Sequence, residues 1–259
     1  MGRGEVAAGA LGTPGILIRS GVREASGSSP SSQLIGHHLG FHAARLVEGL
    51  FDEIQDAHMV YPITSHCLKF QLDDEGGFLV EAATVQDPIG FAVALSDEQG
   101  VPLWGQPLVE MLRKYRYFTG LLTMINDENH GTVWVDETGR DRYSFAWSET
   151  EQERIDRSLE FARDVLEAAG ARRVLQTGVL STHVQGGCRM GSDPSRSVVN
   201  RHGESHDVKR LFVGDSSVIP RTLSVNPSLT IMALASRLVD YLDAGEHGYF
   251  TRAATAAAA

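Results

Sequence analysis

Cysteine is scarce in this chain: Cys67 and Cys188 are the only two in 259 residues. Two thiols cannot form a disulfide framework, so the fold must rest on a hydrophobic core. No apolar run approaches the roughly 20 residues that a membrane-spanning helix needs. A basic surplus is missing as well. Lysine and arginine number 23 against 33 acidic residues, a formal net charge of -10. A negative field repels phosphate, which argues against nucleic acid and against an anionic membrane surface as partners. The opening stretch MGRGEVAAGALGTPG lacks the basic segment and apolar core of a secretory signal and reads as the interior of something longer. No internal repeat is visible.

What is present is ordinary globular material. Hydrophobic residues make up 42% and charged residues 22%, enough to build one large domain or two small ones. Glu5–Ala8 reads as the tail of a buried strand. Thr13 and Pro14 then predict a helix, with threonine as N-cap, proline at the first helical position and Gly21 as its end. From Gly36 the texture changes. Candidate strands are Thr64–Leu72, Gly77–Val85, Gly120–Asn126, Gly131–Asp136 and Arg142–Ala146, several of them alternating apolar and polar residues. Turn signals separate them, and strand follows strand with no helix between, which predicts an antiparallel sheet. Ser148 and Glu151 form a capping box for a helix over 149–169, closed by Gly170. Leu211–Val213 is a short strand, Asn226-Pro227 opens a helix over Ser228–Leu242, and the tail TRAATAAAA reads as frayed. The fold class expected is α+β.

Chemistry concentrates near the C-terminus. Asn226 reads as a cap and Pro227 as the first helical residue. Such an end offers free backbone N–H groups and the positive end of a macrodipole to an electron-rich atom. Gly186-Gly187 after His183 would let backbone pack closely on a planar ligand. Cys188, His202 and His206 approach zinc-ligand spacing, but no second thiolate stands nearby and Arg189 opposes a cation. His37, His38 and His42 lack acidic or thiol partners. No metal is expected.

Three blocks belong together: Ser181 to Gly191 around His183, Leu211 to Pro220 around Asp215-Ser216, and Val225 to Ala235 around Asn226. In order and spacing they resemble the C-terminal signature of the glucose–methanol–choline (GMC) oxidoreductases. Ala7 to Pro14, continuing to Ser20-Gly21, is similar to a second signature that lies mid-chain in full-length members. The resemblance implies an FAD-dependent enzyme that oxidises the CH–OH group of an alcohol, sugar or sterol. Its look is nearest to gluconate and sugar dehydrogenases, long-chain alcohol oxidases and sterol oxidases. It makes His183 the catalytic base and Asn226 its hydrogen-bonding partner on the substrate oxygen. It places Gly12, Thr13, Asp215, Ser216, Asn226, Pro227 and Thr230 against FAD. The domains it implies are residues 1–35 as part of an FAD-binding α/β domain, 36–175 as an antiparallel substrate domain, 176–245 as completion of the FAD domain, and 246–259 as a tail.

The chain departs from that pattern in two places. No G-x-G-x-x-G fingerprint follows a strand, so the diphosphate-binding loop is not among these residues. The expectation is a fragment or a split protein that needs a separate N-terminal FAD-binding half and binds FAD weakly without it. Ala43 also stands where members often carry proline after the histidine of the Gly36–His42 segment. The alternative is a non-catalytic remnant that keeps the substrate-domain fold without flavin.

Overall fold

The computed structural model describes residues 4–60, 63–85 and 87–244. The tail expected to fray lies outside the described residues. Strand β1 (Gly4–Val6) leads into helix α1 (Gly9–Arg19), followed by the short helices α2 (Val22–Ala25) and α3 (Pro30–Gln33). Strands β2 (His37–Leu39), β3 (Ala44–Leu50), β4 (His66–Cys67) and β5 (Phe78–Ala82) come next. Helix α4 (Pro88–Ala94), strand β6 (Leu95–Ser96) and helix α5 (Gly105–Arg113) precede β7 (Phe118–Ile125), β8 (Gly131–Val135) and β9 (Asp141–Ser144). Helix α6 (Glu149–Ala168), strands β10 (Arg173–Thr177) and β11 (Leu211–Val213) and helix α7 (Ser228–Asp243) complete the order. The result is a mixed helix-and-sheet fold with antiparallel sheets, as the alternating segments predicted.

The principal sheet has six strands in the order β4-β5-β7-β3-β10-β6, all antiparallel. Its two faces are different. Val47, Val80 and Val174 point toward α6 and pack on Ile155, Ala162 and Leu166 of that helix. These helix residues recur at helical spacing, and burying each large one is worth about 1.5–3 kcal/mol. The start of α6 is as predicted. The Ser148 hydroxyl accepts from Glu151 N at 3.2 Å, and the Glu151 carboxylate accepts from Ser148 N at 2.7 Å. The opposite face carries Ala44 and Leu46 of β3, Leu122 and Met124 of β7 and Leu79 and Glu81 of β5, in direct register. Further along that face Leu50 and Leu175 are covered by Phe91 of α4 and Met111 of α5.

Several expectations need correction. Helices α4 and α5 interrupt the strands between β5 and β7, where uninterrupted strands were expected. Thr64–Leu72 supplies only the two-residue β4. Beyond it the chain reverses, with Gln71 N bonded to Leu68 O, and Phe78 N then returns to Phe70 O. The central strand β3 and its neighbour β10 were not anticipated. Helix α1 begins at Gly9, so Thr13 and Pro14 lie inside it and Ala8 takes the cap position. The reason is remote. Asp215, two hundred residues away, accepts from Gly9 N at 2.9 Å and from Thr13 Oγ1 at 2.5 Å, which supports an earlier first turn.

Beside the main sheet, β1 pairs in parallel with β11. Leu17, Val22, Ile35, Cys188, Val198, Val199, Val213 and Val218 form one core there, drawn from both ends of the described chain. A three-stranded antiparallel sheet, β2-β8-β9, packs on α1 through Leu39, Val133 and Ala10.

Candidate active site

The segments 36–44 and 180–187 run side by side. Gly40 and Gln185 exchange two backbone bonds, of 2.7 and 3.0 Å, and Ala44 and Leu180 exchange two of 2.9 Å. Between these rungs the chain bulges, and His42 adopts φ 50°. Asp127 fixes that bulge. Its buried carboxylate accepts from Phe41 N and His42 N at 2.6 Å each, and from Thr222 Oγ1 at 2.5 Å. Asn129 adds a bond from Thr222 N at 2.8 Å and donates to His38 O at 3.2 Å. The Ser181 hydroxyl donates to Phe41 O. Burial pushes the Asp127 carboxyl above the usual range, against the lowering effect of the donors it accepts.

His183 faces His42 across this bulge. The two Nδ1 atoms are 3.2 Å apart and the ring centroids 5.1 Å. Burial lowers the pKa of His183. Burial, and then the neighbouring His183, lower that of His42 to about 3. Both rings are therefore neutral near pH 7, and His183 is half-buried, with no bond at Nε2 among the described residues. A neutral imidazole with a bare ring nitrogen can take a proton.

Asn226 does not cap α7, as the sequence had suggested. Pro227 occupies the cap position with no side-chain bond, and the first turn holds no acidic residue. The Asn226 amide instead donates to Glu81 Oε2 at 3.4 Å. Tertiary attraction to a buried carboxyl outweighs the local cap. Burial raises the Glu81 pKa, while the Asn226 bond opposes the rise. Helix α7 thus presents uncapped N–H groups at Ser228, Leu229 and the half-buried Thr230. Glu81 stands on the same sheet face as Ala44, which packs there with Leu79, Leu122, Met124 and Leu180.

The remaining residues singled out from the sequence sit around Asp215. This side chain accepts from Gly9 N, Thr13 Oγ1 and, at 2.8 Å, Ser217 N, so it latches α1 onto the turn after β11. Thr13 is buried, while Gly12 and Ser216 are half-exposed. Ser216 O accepts from Gly186 N at 3.1 Å. Gly186 and Gly187 spend their closeness on protein, not on open space. A Cβ at Gly186 would lie 2.1 Å from His38 O, and one at Gly187 2.8 Å from Pro14 Cγ. The rival metal constellation is dispersed. Cys188 is in the apolar core with its thiol pKa raised by burial, His202 stacks on Tyr241, and His206 bonds Ser197 Oγ at 2.9 Å. Glu128, His130 and Glu151 do offer ligand atoms within 4.8 Å of one another, but Glu151 is occupied by Ser148 N and Glu128 N at the start of α6.

Sequence reasoning missed His42, Asp127, Glu81 and Thr222 as parts of the site. His42 had a visible signal, the cluster with His37 and His38, which was weighed only for metal. Asp127 and Glu81 had none, because their partners lie far off in sequence.

Comparison with known proteins points to one family. Residues 128–235 match the model of the GMC oxidoreductase family. An uncharacterized GMC-type oxidoreductase of Mycobacterium tuberculosis is 29% identical over 262 residues, covering 91% of this chain and 39% of that protein. A 2-methyl-1,2-propanediol dehydrogenase of Mycolicibacterium austroafricanum is 29% identical, covering 92% and 47%. The chain spans less than half the length of these curated relatives. A formate oxidase of Aspergillus oryzae, solved in connection with modification of its FAD, superposes with TM-score 0.65 at 13% identity, over 96% of this chain and 55% of that one. With a family match over residues 128–235 and relatives aligned along nine-tenths of its length, the chain is similar to the GMC oxidoreductases.

Proposed function

We propose that this chain forms the catalytic half of an FAD-dependent oxidoreductase that oxidises the CH–OH group of an alcohol, sugar or sterol. The observation that carries the reading is His183: a neutral, half-buried imidazole whose Nδ1 is engaged by a buried ring and whose Nε2 is left bare. The residues present fit the flavin-ring end of FAD. The uncapped α7 N-terminus offers N–H donors with no competing carboxylate in its first turn, a donor set suited to an electron-rich ring edge. Around it, Asn226, Pro227 and Thr230 would border the ring, and Gly12, Thr13, Asp215 and Ser216 would shape the turn beside the rest of the cofactor. The diphosphate would be held by a dinucleotide-binding segment outside these 259 residues.

Bound FAD would supply the hydride acceptor. An alcohol is a poor hydride donor until its hydroxyl proton leaves. His183 Nε2 takes that proton, and burial, by holding its pKa below 6.5, keeps it able to do so at neutral pH. Asn226 donates an amide hydrogen to the same oxygen and stabilises its developing charge without competing for the proton.

The test uses the chain joined to its dinucleotide-binding half and loaded with FAD. His183→Ala should lower kcat/KM by on the order of 10²–10⁴ while flavin content holds. Asn226→Ala should cost rate as well, and the double variant should lose less than the product of the two, since both residues serve one proton transfer. Near wild-type turnover in His183→Ala with flavin bound removes the assigned base. Titration of the chain alone should show weak FAD binding, and sub-micromolar affinity would contradict the need for a separate half. A second reading, a non-catalytic form that binds no flavin, is favoured by one observation. Asp215, Thr13 and the glycine pair already make their close contacts inside the chain. Absence of flavin absorbance in the joined protein would select it.

A further inference from the structure

His42 enters the reading above only as a neighbour, yet the fold goes to some trouble to place it. The ring is buried, its backbone sits in the left-handed region that a bulky residue rarely adopts, and Asp127 holds it there. Its Nε2 is buried with no hydrogen-bond partner among the described residues. Its one recorded side-chain bond is Nδ1 to Nδ1 with His183, at 3.2 Å.

Two neutral rings that meet nitrogen to nitrogen share a single proton in the contact, so one donates and the other accepts. A base that acts through Nε2 must carry its own proton on Nδ1. In water the neutral side chain favours the opposite tautomer, and the hydrogen bond at the second nitrogen decides which is present. Carboxylates and carbonyls are the usual acceptors in that position. Among the described residues no carboxylate bonds His183 Nδ1; the Asp127 carboxylate goes to backbone N–H groups and to Thr222. A second imidazole fills the role.

We propose that His42 is a positioning residue for His183: its Nδ1 lone pair accepts the His183 Nδ1–H and fixes the tautomer that leaves Nε2 bare. The proposal rests on His183 being the base. In the required state His42 carries its proton on Nε2, inside the fold. The same bond persists when His183 gains a second proton, because the Nδ1–H is retained and the added charge strengthens it. His42 itself stays neutral, since burial leaves it a poor site for charge. The proton balance is thus local: substrate oxygen loses one, His183 Nε2 gains it, and His42 neither gains nor loses.

The test is histidine ¹⁵N NMR of the full chain near neutral pH, with the His183 signals assigned from their loss in His183→Ala. In the wild type, His183 should be protonated on Nδ1 and bare on Nε2, and His42 the reverse. His42→Phe fills the volume without an acceptor, and the majority tautomer of His183 should reverse. His42→Gln returns a carbonyl acceptor and should restore the wild-type pattern. A wild-type His183 protonated on Nε2, or a tautomer unchanged in His42→Phe, overturns the proposal. Should His42→Phe fail to fold, the wild-type spectrum still decides. The base assignment fails separately, through turnover in His183→Ala, and leaves the tautomer result standing.

Discussion

Glu48 is a carboxyl in the middle of the principal sheet, and replacing it with glutamine should change how the stability of this protein depends on pH. It is fully buried on β3, where Thr84 Oγ1 and Val85 N donate to it, at 2.9 Å for the closest contact of each. Burial pushes its pKa up from an ordinary 4.5 to about 7, in spite of those donors. Below 4.5 the native and unfolded chains both hold the proton. Between 4.5 and 7 the unfolded chain releases it while the native chain keeps it, so stability falls as pH rises through this window. At about 1.36 kcal/mol for each tenfold change in proton activity, the loss attributable to Glu48 is roughly 3 kcal/mol, complete above pH ~7. Glu48→Gln has the shape of the protonated acid and nothing to titrate. Equilibrium urea unfolding of both proteins from pH ~4.5 to ~8 isolates the effect, because every other group titrates in both and cancels in the difference. The glutamine variant should gain on the wild type by roughly 3 kcal/mol across that range. A difference that stays flat within about 1 kcal/mol would mean that Glu48 is ionised in the native sheet, and the reasoning from burial would fail.

Other perturbations test other links. Asp215→Ala leaves Gly9 N, Thr13 Oγ1 and Ser217 N without their acceptor and should destabilise the chain by on the order of 3 kcal/mol, read by urea unfolding; a loss below about 0.5 kcal/mol would deny the latch. Gly186→Ala, at φ 82° with its new Cβ 2.1 Å from His38 O, should prevent folding, whereas Gly139→Ala, at φ 81° with nothing within 4 Å, should cost only about 1–2 kcal/mol, as judged by circular dichroism. Ser148→Ala removes half of the capping box of α6 and should cost about 1 kcal/mol in the same unfolding assay. In the FAD-loaded enzyme, kcat/KM should fall as pH drops through the His183 pKa, and the midpoint should lie below 6.5; a midpoint above it contradicts the burial of that ring.

What could be read from the sequence was whatever short-range forces dictate. The capping box of α6, the hairpin of β8 and β9, the strand at Leu211–Val213 and the helix after Pro227 each depend on residues a few positions apart. Period and turn chemistry state such elements locally. The family was legible for another reason: three blocks around His183, Asp215 and Asn226 keep an order and spacing that the later match over 128–235 bears out. Strand β3 was hidden because both its faces are buried and a carboxyl lies on one of them, so ARLVEGL shows neither clean alternation nor an unbroken apolar run.

Tertiary structure alone decided the rest. The start of α1 was set by Asp215, 206 residues from Gly9, against the local preference of Thr13 and Pro14 for a later cap. Asn226 left its expected cap for Glu81, 145 residues away, and His42 met His183 across 141. A backbone donor or a ring nitrogen takes the best partner that the folded chain brings within reach, and once water is excluded that partner outweighs any local one. Sequence carries the identity of such groups but not their distances, so packing chose which of them meet.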